Sequence, residues 1–432
     1  MFYFNIALKS ILERRRQYKS LFAVCAVGVT LMLSALMVTD GMLASMNEKA
    51  RQYYGGDLQL LGGKHLSNLE TDSDNYIQVL SSALEGENVV VSKRYNYDAR
   101  NESYYFEGTS VRQRVIMGVE FENEKALFDK FTFTEGTYLN SEYEDTVIIS
   151  QPIAKKLGCH VGDSITLYVT TSDGYKNTMD FVVIGVFQDS SVFGMYTSYV
   201  NYNSLMKILT IDPPQVNRIS IYYPDGSPSF AKKQRLQKNL ESKFLMYPLG
   251  MDKNKFYDDF FVNAENQGIE KFALISLDSN VSDLKLLVQA LRLVVAAIIV
   301  MLAIIIAVGI SSTYRVIVIK RNVESGTLRA LGMKPSGIMR LFITEAFVLL
   351  VTGCFTGFVL SLIIAKVVST FNLSFISGFD LFLTGGYLLP HVSGIKITGL
   401  VAAIIVTTLI SVLFTLRKLV HVSPVGAITA TT

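Results

Sequence analysis

Four apolar runs, each long enough to cross a bilayer, constrain this chain more than any other feature. They occupy 21–42, 293–314, 346–365 and 397–416. A helix rises 1.5 Å per residue, so roughly 20 apolar residues cover the about 30 Å of hydrocarbon in a membrane. Within that layer each backbone N–H and C=O needs an internal partner, and for runs of this length the helix provides one. Charges stay near the ends of the runs, at Asp40 and Arg292. Half of all residues are apolar and only 18% are charged, which is unlike a soluble domain of this size.

Arg14, Arg15, Arg16 and Lys19 precede the first run, as they would in a secretory signal. A signal's apolar core is about 7–15 residues long and ends in a small-residue cleavage site. This run is longer and continues into Asp40-Gly41-Met42-Leu43, so an uncleaved anchor is expected. Basic residues collect in the amino-terminal flank, in the segment holding Arg315, Lys320, Arg321, Arg329, Lys334 and Arg340, and at Arg417 and Lys418. By the positive-inside rule both termini and that segment face the cytoplasm, and the long stretch after the first run faces out.

The expected layout follows. An amphipathic elbow (1–20) leads to a first span (21–42), then to an external α+β domain with a stalk (43–285) and a second span (286–314). A cytoplasmic loop (315–342), a third span (343–365), an external loop (366–396), a fourth span (397–416) and a cytoplasmic tail (417–432) complete the chain. In the elbow, Ile6, Ile11 and Leu12 share one side and the arginines follow, as in a helix lying on the inner leaflet.

The external stretch is rich in Tyr, Asn, Asp and Gly. Strand-like runs begin at Gly56, Val89, Ser103, Val111, Asp145, Asp163, Met179 and Val216, with turn residues between them. Helical stretches are expected at 151–157, closed by Gly158, and at 204–209 and 229–247. The segment from about Gly268 to Lys285 reads as a continuous stalk into the second span.

Several functions are disfavoured. A net charge of +3 gives no reason to invoke nucleic acid. Cys25 and Cys354 fall in spans, so Cys159 has no disulfide partner in the external domain. His65, His160, His391 and His421 are scattered, no Cys/His cluster has metal spacing, and no enzymatic site or metal is expected. No G-x-x-x-x-G-K-[ST] phosphate loop occurs, so this chain is not expected to hold nucleotide phosphates in that way.

The polar interruption ESGTLRALGMKPSGIMRLF, from Glu324 to Phe342, is the leading candidate site. Asn322 reads as an N-cap, Glu324 suits the first turn, Arg329 the last turn and Gly332 a left-handed stop. Pro335 opens the next helix, with Ile338, Leu341 and Phe342 along one face. A two-turn helix is unstable alone in water and needs a partner surface, either lipid or protein. Farther on, Gly353 and Gly357 form a G-x-x-x-G pair that suits close helix packing.

The run from Lys320 to Glu345 resembles the signature of the FtsX-like permease family, with Glu324, Gly326, Leu328, Arg329, Ala330, Leu331, Gly332 and Met333 filling the pattern and Ser325 departing from it. EGTYL at Glu135, DTVIISQPIAKKLGCHVGDSITL at Asp145 and FVVIGVF at Phe181 resemble the MacB-like periplasmic core, and SPVGAI at Ser423 resembles the family's closing motif. The resemblance implies a permease subunit of a type VII ABC transporter in a bacterial inner membrane. It would work as a homo- or heterodimer with a separate ATPase, transmitting motion outward. The residues contacting the ATPase would be Glu324, Gly326, Thr327, Leu328, Arg329, Ala330, Leu331, Gly332 and Met333, with Leu328, Leu331 and Met333 in its cleft. The layout is closest to the LolC/LolE branch, which implies lipoprotein or amphiphile cargo. MacB-like export of peptides or small molecules, and FtsX-like signalling to a cell-wall hydrolase, are the alternatives.

Overall fold

A computed structural model describes residues 2–63, 73–139, 142–250, 253–259, 269–376 and 378–419. The SPVGAI tail motif, His65 and His421 lie outside them. Helix α1 (Phe2–Glu13) ends at a turn on Arg14, and α2 (Arg15–Tyr54) follows. The helix of the first span therefore does not stop at 42. It runs unbroken for 40 residues through the helix-compatible segment SMNEKARQYY and ends where Gly55 and Gly56 take positive φ.

Among the described residues twelve strands form one mixed sheet: β1 (Leu58–Gly63), β2 (Val90–Asp98), β3 (Ser103–Phe106), β4 (Thr109–Arg112), β5 (Val115–Val119), β6 (Phe133–Gly136), β7 (Thr146–Ser150), β8 (Ser164–Thr170), β9 (Lys176–Phe187), β10 (Thr197–Asn201), β11 (Arg218–Tyr222) and β12 (Lys271–Ser276). Their order is β12-β1-β11-β2-β5-β10-β7-β9-β8-β3-β4, with β6 on β9. The pairs β5–β10 and β7–β9 are parallel, and the other pairings are antiparallel. Helices α3 (Ser73–Ala83), α4 (Lys125–Phe128), α5 (Gln151–Leu157), α6 (Tyr202–Leu209), α7 (Phe230–Glu241), α8 (Lys253–Tyr257) and α9 (Leu277–Asn280) accompany it. In α5 the expected stop is present: Gly158 is left-handed at φ 77, and Ile153, Ala154 and Leu157 are buried.

Two expectations change here. The helix expected over 229–247 is confined to α7, and the supposed stalk after 268 is not one helix. Its KFALIS run is strand β12, buried beside β1, and α9 and a 3₁₀ turn (Ser282–Leu284) follow. A short continuous apolar run fits a buried strand and a buried helix alike, and the pairing with β1 decides it.

The chain returns through α10 (Lys285–Lys320), α11 (Asn322–Ala330), α12 (Pro335–Val368) and α13 (Gly394–Leu419). Among the described residues four helices, α2, α10, α12 and α13, are long and apolar enough to span a membrane. Within the expected 315–342 segment, helix continues through 315–320, α11 follows, and α12 starts at Pro335 as expected.

The described residues form two units. One lies within 1–42, 288–371 and 388–432; the other lies within 43–287 and 372–387. The first has an apolar core that includes Cys25, Val29, Ile306, Ile310, Phe342 and Leu350. The second has a core along the sheet, including Leu60, Ile149, Val183 and Ile219, and a separate aromatic cluster around Phe128 and Tyr199.

Candidate functional site

The segment between α10 and α12 is built from its breaks. At Arg321 the backbone turns to φ −104, ψ 14, ending α10, and α11 begins at Asn322. Asn322 is thus the first helical residue and not the N-cap that its side chain suggested. At the other end the Gly332 N–H donates to the Arg329 carbonyl and the Met333 N–H to the Leu328 carbonyl, each at 3.0 Å. This pair of bonds, with Gly332 at φ 93, is the Schellman arrangement that closes a helix. Lys334 is extended and Pro335 starts α12, whose Ile338, Leu341 and Phe342 are all buried.

An ionic network underlies α11. Arg321 Nη1 donates to Glu345 Oε1 at 3.0 Å and to Oε2 at 2.7 Å. The Tyr18 hydroxyl donates to Glu345 Oε2 at 3.0 Å. Arg321 Nε donates to Glu324 Oε2 at 3.0 Å, and Arg14 bonds Glu324 Oε1. The Arg321 guanidinium lies 5.0 Å from the Phe342 ring centre, and the Tyr314 hydroxyl donates to the Phe342 carbonyl at 2.5 Å. Glu345 is fully buried. Four segments thus meet: the α1–α2 corner, the end of α10, α11 and α12.

Electrostatics follow the geometry. Burial alone would raise the Glu324 carboxyl, but hydrogen bonds from Arg14 and Arg321 outweigh it and hold the group below the ordinary carboxylate range. Burial would likewise lower Arg321, and the Glu345 carboxylate more than reverses this, so its guanidinium stays charged.

The placement of the expected site residues is mixed. Glu324 bonds Arg14 and Arg321 while its side chain stays 41% exposed. Gly326 is buried, and Leu328 and Met333 pack partly against the core of the spans. Arg329 is half-buried in the last turn. Thr327, Ala330, Leu331 and Gly332 are exposed, and Leu331 most of all at 80%. Thr327, Ala330 and Leu331 stand at helical spacing, forming one outward face.

Gly353 and Gly357 pack within the chain. A Cβ at Gly353 would lie 2.9 Å from Cys25 Sγ, and one at Gly357 would lie 2.8 Å from both the Ala26 carbonyl oxygen and Val29 Cβ. In α1, Ala7 is buried, Ile6 and Ile11 are partly buried with Ile11 packing on the span core, and Leu12 is 66% exposed. Sequence reasoning passed over Tyr18, Arg321 as an ion partner and Glu345. A carboxylate at the edge of an apolar run is itself a signal, because it needs a partner there. No group of three or more His, Cys, Asp or Glu side chains arranged for a metal occurs among the described residues.

Comparison with known proteins places the chain in a family. Residues 23–239, half of the chain, match the model of the MacB-like periplasmic core domain. Residues 296–424 match the FtsX-like permease C-terminal model. A relative, the macrolide export ATP-binding/permease protein MacB 2 of Aeromonas hydrophila, is 25% identical over 210 residues, 48% of this chain and 29% of that protein. A solved structure, the periplasmic region of MacB from Actinobacillus actinomycetemcomitans, aligns with TM-score 0.33 and 13% identity, covering 54% of this chain and 95% of that one. With an external mixed-sheet domain set between its first and second spans and both family models matched, the chain belongs to the FtsX/MacB-type family of ABC transporter permeases.

Proposed function

We propose that this chain takes ATP-driven motion from a separate cytoplasmic ATPase through α11 and passes it through its spans to the external domain. The observation that carries this reading is the division of α11 into two faces. One face is tied by Glu324 and Arg321 to three other segments, and the other presents Thr327, Ala330, Leu331 and Gly332 to a partner. Displacement of the outward face then acts on α2, α10 and α12 together. On this reading ATP and Mg bind on the partner ATPase; these 432 residues themselves hold no phosphate loop.

The active form on this reading is a dimer of permease subunits, identical or different. It lies in a bacterial inner membrane with both termini cytoplasmic. The cargo is a lipoprotein or another amphiphile leaving the outer leaflet. A second reading, export of a small molecule or peptide, is favoured by the macrolide export relative. The test is Leu331→Asp in the full chain, purified in mild detergent with whatever ATPase accompanies it. The substitution should abolish ATPase co-purification and ATP-dependent function while the thermal midpoint stays unchanged. Retained co-purification would sink the proposal. Depletion in cells then separates the cargo classes: mislocalised lipoproteins support the first, and altered drug sensitivity with correct lipoprotein sorting supports the second.

A further inference from the structure

The loop between the third and fourth spans is apolar in sequence, and its packing accounts for part of this: Leu381 and Leu383 are buried, whereas Phe375 and Ile376 stay exposed. Residues 372–387 belong to the same unit as the external domain. The segment closes on itself: Leu373 N–H donates to the Gly386 carbonyl at 2.8 Å, and Thr384 and Tyr387 exchange backbone bonds at 2.9 and 3.0 Å.

Its attachment is polar and buried. Ser45 and Lys49 stand one helical turn apart on α2 and so share a face. Ser45 Oγ lies 2.9 Å from Thr384 Oγ1. Lys49 Nζ sits between two carboxylates, 3.0 Å from Asp189 Oδ1 and 3.1 Å from Asp380 Oδ2. The Ser191 N–H donates to Asp189 Oδ1 at 2.8 Å, and the Ser190 N–H to Asp380 Oδ2 at 2.6 Å. Asp380 is 2% exposed and Lys49 is 8% exposed. Gly194 leaves room for Asp189, since a Cβ there would lie 2.4 Å from the Asp189 Cβ. A loop that only linked two spans would need none of this, because water would serve its polar groups at no desolvation cost.

We infer that residues 372–387 are a strut, held to the external domain by Lys49 between Asp189 and Asp380, that carries motion between this domain and the third and fourth spans. The chain runs from α12 into the strut at Phe371–Asn372 and from it toward α13 at Tyr387–Leu388. Displacement of the domain then reaches α12 and α13 through these short links, besides the routes through α2 and α10. The mechanical role rests on the function proposed above, but the attachment does not.

The test is Asp380→Asn in the full-length protein, read first by hydrogen exchange. Lys49 keeps Asp189, so the domain should fold. The amides of Leu373, Thr384 and Ser190 should exchange roughly tenfold faster or more, with α11 unchanged. Adding Ser45→Cys with Thr384→Cys should restore slow exchange once the disulfide forms, and reductant should reverse this. ATP-dependent function should fall in Asp380→Asn and return with the disulfide. If Asp380→Asn does not fold, Thr384→Ala, which strands no charge, should show the same loosening to a smaller degree. Unchanged exchange in these variants overturns the strut. So does loss of function when the disulfide closes in the otherwise unaltered protein, which would mean that the contact has to open. Exchange needs no ATPase, so failure of the Leu331 test would leave its result standing.

Discussion

Arg321→Met should destabilise the membrane unit more than any other single change at this site. Glu345 is wholly buried and accepts two bonds from Arg321 Nη1 and one from Tyr18. Removing the guanidinium leaves one neutral donor to hold a buried carboxylate. Breaking a buried ion pair from one side costs about 3–5 kcal/mol. Glu345→Gln is milder, because Arg321 keeps Glu324 at 3.0 Å and the amide still accepts one bond. The loss there is one charge-assisted hydrogen bond, about 1.5–3 kcal/mol. The double variant Arg321→Met with Glu345→Leu buries no stranded charge, and it should be more stable than Arg321→Met by about 1 kcal/mol or more. The chain has no tryptophan, but Cys25, Cys159 and Cys354 are all buried, so a thiol-reactive fluorophore reports thermal unfolding in detergent. A Cys159→Ser background confines the signal to the two span cysteines. Arg321→Met falling within about 0.5 kcal/mol of the parent, or a double variant less stable than Arg321→Met, would refute the reasoning.

Gly357→Leu should cost about 1–3 kcal/mol by overpacking against the Ala26 carbonyl and Val29, while Gly399→Leu, whose Cβ meets nothing within 4 Å, should be neutral or slightly stabilising in the same assay. The pH dependence of Glu324 has a definite sign. Its folded carboxyl is held below its unfolded value of 4.5, so its contribution is fully present above that value and is lost as pH falls through the lower folded value. The difference in thermal midpoint between the parent and Glu324→Gln should therefore stay constant at neutral pH and close only in acid. A difference that shrinks between pH 8 and about pH 6 would contradict the assignment.

How much could be read in advance depended on whether the governing contact was local. Gly158 closes α5 and Gly332 closes α11 because a left-handed residue after a short periodic run is a local demand, visible in a few letters. Strands such as β8 and β9 carry their own alternation and were legible too. β10 was not: TSYVN is polar and short, and its burial comes from β5 on one side and β7 on the other, both distant in sequence. β12 was misread because its partner β1 lies some two hundred residues away. At the candidate site the short helix and its glycine stop followed from local signals. The inward turn of Glu324 depended on Arg14, 310 positions earlier, which no spacing rule brings to it.

The buried charge clusters at Arg321 and at Lys49 pose one energetic question. Arg321 with Glu345, and Lys49 with Asp189 and Asp380, take ions out of water, and apolar residues of similar volume often stabilise as well or better. Apolar helix faces, however, can rotate or slide by a fraction of a turn at little cost, whereas an ion pair with directed hydrogen bonds is satisfied in one register only. In a chain that transmits displacement, such slack would absorb the motion before it reached the far end. Helix α2 carries a member of each cluster, Tyr18 near its start and Lys49 near its end, so its register is set at both. On this argument stability and function separate in the Arg321→Met with Glu345→Leu variant. Its thermal midpoint should recover relative to Arg321→Met, its ATP-dependent function should not, and recovery of both would show that the pair contributes packing alone.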